Sequence, residues 1–127
     1  MKRGAAGLAA LLSLAACAGV EAEPALPALT AAETNYVEQT AAVVYRRASV
    51  DRLTGLLFSD ARGHGTCVRS PAGADRAADY TLLILQRRIT SDFISQADDD
   101  VLILRTAEEA APCRDLGADR RLWVRAR

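Results

Sequence analysis

From residue 30 onward, apolar positions first recur at helical intervals and then give way to short alternating or continuous runs. Thr30-Ala31-Ala32-Glu33 has the form of a capping box: the threonine hydroxyl takes a free amide at the helix start while the glutamate reaches back to another. Behind it Val37, Ala41, Val44 and Ala48 share one face, Thr40 and Val43 widen the stripe, and Glu33, Glu38, Gln39, Arg46 and Arg47 lie largely off it. The spacing predicts a helix over 31–48.

After Ser49 the character changes. Val50 to Ser59 fits either more helix, through Val50, Leu53 and Leu57, or a strand, with Gly55 weakening the helix. Gly63-His64-Gly65 reads as a turn, Thr66-Cys67-Val68-Arg69 as a short strand, and Ser70 to Asp79, with Pro71 and Gly73, as a loop. Tyr80 to Gln86 carries the strongest strand signal and is apolar enough for the middle of a sheet. Ile89 to Ser95 alternates, with Ile89, Phe93 and Ser95 on one side. Val101 to Thr106 predicts a second apolar strand, although Asp98-Asp99-Asp100 before it and Ala107-Glu108-Glu109-Ala110-Ala111 after it keep a helix open. Leu122-Trp123-Val124 predicts a closing strand. The sum is an α+β domain over 30–127: one N-terminal amphipathic helix packed on a small, mainly antiparallel sheet.

The start of the chain is of another kind. Met1-Lys2-Arg3 is a positive head, followed by 13 uncharged, Ala/Leu-rich residues, Gly4 to Ala16. That is short of the roughly 20 needed to cross a bilayer and has the size of a signal-peptide core. It ends in Leu14-Ala15-Ala16-Cys17. This run resembles the lipobox of bacterial lipoproteins, where a leucine, two small residues and a cysteine mark the signal-peptidase site. The resemblance implies removal of residues 1–16, a diacylglyceryl thioether on Cys17 and an acylated new amino terminus. Residues 17–29, with Pro24 and Pro27, then read as a flexible tether. In that family an aspartate after the cysteine favours the inner membrane. Ala18 stands there, which implies the periplasmic face of the outer membrane. The implied partner is the membrane itself, since two or three acyl chains make release negligible where one binds only reversibly.

With Cys17 lipidated, Cys67 and Cys113 remain, and one connectivity is possible. An oxidising periplasm makes a disulfide the expectation. Closing 46 residues, it would be worth about 4 kcal/mol. Cys67-Val68-Arg69, a loop, the Tyr80 to Gln86 strand and a late Cys113 are also similar to small lipoproteins of proteobacteria that carry no established activity.

Composition narrows the classes further. Half the residues are apolar and a quarter charged, as in a folded chain. Lys2 is the sole lysine; from Cys17 onward 14 arginines face 16 acidic residues, a net charge of −2. That lacks the electrostatic footprint of a nucleic-acid binder. Schiff-base chemistry has no lysine to use, and no serine sits in a Gly-x-Ser-x-Gly elbow. His64 is the one imidazole, so a small hydrolase would have to be built on it with an unassigned serine and acid. His64-x-x-Cys67 with Cys113 offers three zinc ligands and no fourth. Asp98-Asp99-Asp100 lacks the alternation that aims calcium ligands at one point, and reads as a solvated turn. No cofactor or metal is expected. Arg46-Arg47, Arg87-Arg88 and Arg120-Arg121 would meet phosphates or headgroups only if the fold gathered them. Trp123, Phe93, Phe58 and Tyr80 are too scattered for a stacking platform and read as packing.

The expectation is a non-catalytic, lipid-anchored envelope module that binds a protein partner, helped by the effective concentration that a shared surface gives. The alternatives are an inhibitor of an envelope-degrading enzyme such as lysozyme, with 70–79 as its loop, and a hydrolase using His64.

Overall fold

The strand from Asp79 to Leu85 sends alternate side chains into two apolar layers, and the rest of the fold is arranged about it. The structure, a computed structural model, describes residues 25–47, 49–91 and 101–126. Its elements are α1 (Ala31–Tyr45), β1 (Asp51–Leu53), β2 (Phe58–Asp60), β3 (Gly63–Ser70), β4 (Asp79–Leu85), β5 (Val101–Leu104), α2 (Ala111–Asp115), a 3-10 turn at Arg120–Leu122, and β6 (Trp123–Arg125). The sheet runs β5-β4-β3-β1-β6 with every pairing antiparallel; β2 pairs with the start of β3, and β1 with its end.

Register sets the layers, because a strand residue and its cross-strand partner share a face. Cys67 lies opposite Leu82, and Leu53 opposite Trp123. With Tyr80 and Ile84 they form a core that Ala110 and Cys113 cover from α2 and its approach. The Cys67–Cys113 disulfide, with Cα atoms 5.6 Å apart, ties that cover to a central strand. On the opposite face Val37 and Ala41 of α1 pack on Val50, Val68, Leu83 and Ala126, and Ala32 continues the layer onto Leu85 and Ile89. The result is a small antiparallel sheet with a helix and one disulfide.

Several expectations are corrected. The helix stops at Tyr45, short of 48, because Arg46 turns left-handed (φ 50°) while its N–H still reaches the Ala42 carbonyl. Its buried face is also different. Glu33, read as off the stripe, is completely buried, whereas Val43 is 75% exposed. The capping box is present as expected, and Glu33's carboxylate is compensated by Arg88 and two amides, which is why it can sit inside.

Residues 50–59 adopt the strand alternative, in two pieces broken at Gly55. A Cβ at that glycine would fall 2.4 Å from the Pro27 carbonyl oxygen, so glycine lets the 25–29 segment lie against the bend. Ala28 bridges to Gly55, and the Pro27 carbonyl accepts the Leu56 amide. The chain is thus fixed to the domain from Leu26, inside the stretch read as tether.

The Gly63-His64-Gly65 turn is in fact the start of β3; the turn is Ala61-Arg62, and Gly63 leaves it with φ 126°, where a side chain would be strained. The loop shrinks to 71–78 as both flanking strands lengthen. Val101–Leu104 is a strand, as preferred over helix, and the closing strand lies one residue later than expected. α2 has no counterpart in the expectations: five residues are too few to show a period, and Pro112 in its first turn masks it. Phe93, Ser95 and Asp98-Asp99-Asp100 lie outside the described residues.

Candidate functional site

Leu14, Ala15, Ala16 and Cys17 lie outside the described residues. Among the described residues, no helix is long and apolar enough to cross a membrane.

The fold does give His64 a serine. Ser59 on β2 stands opposite it in register, with Oγ 2.9 Å from Nδ1. Both side chains belong to the outer end of the β2–β3 ribbon, and the nearby Asp60 is committed to Arg62 at 2.8 Å. The Arg62 guanidinium in turn lies 3.9 Å over the Phe58 ring. No carboxylate among the described residues orients the imidazole, so the pair lacks the third member that makes such a serine reactive. The zinc constellation separates instead of converging. Three residues apart on a strand, His64 and Cys67 project to opposite faces, and Cys67 is consumed by Cys113.

The doubled arginines go three different ways. Arg88 makes a two-pronged pair with Glu33, Nε to Oε2 at 2.7 Å and Nη2 to Oε1 at 2.8 Å. Arg121 pairs with Asp119 at its own turn. Arg47 joins a cleft instead. This cavity of about 230 Å³ lies where the end of α1, the β3–β4 loop and the end of β5 meet, and it gathers Arg47, Arg76 and Arg105 with Tyr45, Ser70 and Asp79. Tyr45 is its rigid floor. The phenol lies 2.6 Å from Thr81 Oγ1 and donates to the Asp79 carbonyl at 2.9 Å. Burial pushes that phenol up to about 12, and the Asp79 charge adds to the effect against the opposing pull of Thr81 and Arg105. Arg105 pairs with Asp79 at 3.0 Å and stands 5.4 Å over the Tyr45 ring. Among the described residues Asp79 is thus the one carboxylate lining the cleft, against three guanidiniums.

Sequence reasoning flagged Arg47 within a pair but missed Arg76 and Arg105. Their convergence depends on the β4–β5 and β3–β4 registers, which a single sequence does not display. Trp123 and Tyr80 are packing residues as expected, in edge-to-face contact at 5.8 Å, and Arg69 lies 4.2 Å over the indole. A second groove, about 330 Å³, runs between α1 and the β5 edge, lined by Tyr36, Val43, Val101 and Ile103. Among the described residues no group of three or more His, Cys, Asp or Glu is placed to hold a metal ion.

No protein-family model, curated protein or solved structure matches the chain.

Proposed function

We propose that this chain is a non-catalytic binding module of the bacterial envelope, an α+β domain carried at the periplasmic face of the outer membrane by lipid on Cys17. The lipobox-like run Leu14-Ala15-Ala16-Cys17 supports the address, and the buried disulfide fits an oxidising compartment. The observation that carries a binding role is the arginine cleft. Arg47 and Arg76 face it without an acidic partner among the described residues, and it holds neither a nucleophile–base pair nor an imidazole. Such a site recognises charge; it is not equipped to move protons.

The test is capture from solubilised envelopes by the wild-type chain and by Arg47→Gln/Arg76→Gln, alongside Cys17→Ser. A component held by wild type and lost to the arginine variant is the expected result. Identical captures from all three would overturn the reading, because neither the cleft nor the anchor would then matter.

A second reading, inhibition of an envelope-degrading enzyme such as lysozyme, draws on the β3–β4 loop. The Gly73–Arg76 bridge closes a tight, exposed turn between the two longest strands, a stiff projection suited to entering a cleft. Lysozymes of several classes, assayed with micromolar protein, would be slowed if this reading holds.

A further inference from the structure

We propose that the arginine cleft binds a phosphate group, with Arg47 and Arg76 as its primary ligands and Arg105 as the third. This inference rests on the binding reading above and names the chemistry of its ligand.

The argument begins with what the cleft costs the protein. Three guanidiniums from three elements face one small cavity, and like charges brought together repel. The chain from Cys17 onward is net acidic, so this cluster does not follow from a general excess of base. The carbonyl end of α1 favours a nearby cation and accounts for Arg47 alone. Arg76 comes from the loop and Arg105 from the end of β5, each without that help. Asp79 meets one charge in the set, that of Arg105, and leaves two.

The shape of the deficit selects the ligand. A carboxylate is satisfied by one guanidinium fork and carries one negative charge. A phosphate monoester brings close to two charges and three free oxygens, enough for forks arriving from different directions. Arg105 is held by its ion pair with Asp79 and by the Tyr45 ring beneath it, so one wall is preset. Arg47 and Arg76 are exposed and close on the ligand from the other sides. Tyr45 stays a neutral phenol throughout the physiological range and adds no opposing charge.

The phosphate has two available sources: a soluble monoester or a lipid headgroup. Nine residues from Cys17 to Leu26 span at most about 30 Å, and the cleft lies at the far end of α1, a helix about 22 Å long. A domain tethered in this way can bring the cleft to the membrane that holds it.

The experiment uses the full chain purified in a neutral maltoside detergent, titrated calorimetrically at constant ionic strength. The probes are inorganic phosphate, glycerol 3-phosphate, and phosphatidic acid dispersed in the micelles. Saturable binding by wild type, weakened at least tenfold in Arg47→Gln/Arg76→Gln, is the expected result. Glycerol 3-phosphate binding as tightly as phosphatidic acid assigns the site to soluble monoesters; phosphatidic acid binding at least tenfold tighter assigns it to headgroups. Both substitutions are at exposed side chains, and an unchanged melting temperature will show that the variant is folded. Absence of saturable binding to all three probes, or equal binding by the variant, overturns the proposal. If an envelope component is still captured through the same arginines while no phosphate binds, the ligand assignment falls and the binding reading stands. Phosphate binding without capture of any component has the reverse meaning.

Discussion

Glu33 and Arg88 are 55 residues apart in sequence and meet in a two-pronged ion pair whose carboxylate is wholly removed from solvent. The same carboxylate accepts the Thr30 amide at 2.8 Å and the Ile89 amide at 3.1 Å, so one side chain closes the start of α1 and fastens the segment leaving β4 to it. Burial alone would raise the Glu33 carboxyl. Arg88 and the two amides overcome that and hold it down at about 2. A carboxyl with a depressed folded pKa contributes stability above its unfolded value, lost as pH falls. The window here runs from about 4.5 down to about 2, and the contribution is about 3 kcal/mol. Wild type should therefore lose stability steeply across that window in acid titrations of the urea midpoint. Glu33→Gln should start lower and show a flatter profile. Parallel profiles for the two would mean that Glu33 does not titrate with unfolding.

The position of Glu33 also shows where the sequence could and could not be read. Thr30 and Glu33 announce the capping box by local spacing, and the box is there. That Glu33 is buried, and that Arg88 is its partner, depends on where the chain goes after β4, which no local pattern records. The same division holds elsewhere. The run Tyr80 to Leu85 was legible because its apolar character is continuous, and the Cys67–Cys113 pairing because the lipobox-like run sets Cys17 apart from the chain's other two cysteines. Gly63-His64-Gly65 misled because glycine is turn material by propensity, whereas here it is required at a close approach: a Cβ on Gly65 would strike the Phe58 ring at 2.4 Å. The cleft was visible only as Arg47, since Arg76 and Arg105 reach it through strand register. Fold elements were thus largely local information, and the candidate site was tertiary.

The Cys67–Cys113 bridge holds α2, whose five residues are too short to persist alone, against the Tyr80–Leu82–Ile84 face. Replacing both cysteines with alanine should lower unfolding free energy by about 4 kcal/mol. Urea titration of wild type with reductant should reach nearly the same midpoint. A loss below about 1 kcal/mol would mean that Ala110, Leu116 and Trp123 seat this segment by packing alone.

Tyr45 should ionise well above the ordinary tyrosine range. Its folded pKa of about 12 lies above the ordinary 10, so its contribution to stability is complete below pH 10 and is lost as pH rises toward 12. Tyrosinate absorbance should show a late component that Tyr45→Phe removes. The substitution also deprives Thr81 Oγ1 and the Asp79 carbonyl of a partner and should cost about 1 kcal/mol. A phenylalanine variant retaining the late component would show that the burial of Tyr45 is not its cause.

Asp51 should matter far more than the exposed half of its own ion-pair set suggests. It faces Arg69 and Arg125 from neighbouring strands, at 3.0 and 2.8 Å, and is 7% exposed. Arg125 is more than half exposed, so its pair is screened and adds little. Arg69 is nearly enclosed, donates to the Gly117 carbonyl at 3.0 Å and covers the Trp123 ring, whose Nε1 donates to the Leu116 carbonyl at 3.0 Å. Asp51→Asn strips Arg69 of its counter-charge where water cannot replace it. The expected cost is about 2–3 kcal/mol, with Trp123 emission shifting to the red as the guanidinium leaves the ring. Arg125→Gln removes the other pair and should cost less than about 1 kcal/mol, with the indole unchanged. If the two variants prove equally mild and spectroscopically silent, Arg69 is held by Trp123 and Gly117, and the carboxylate beside it is a bystander.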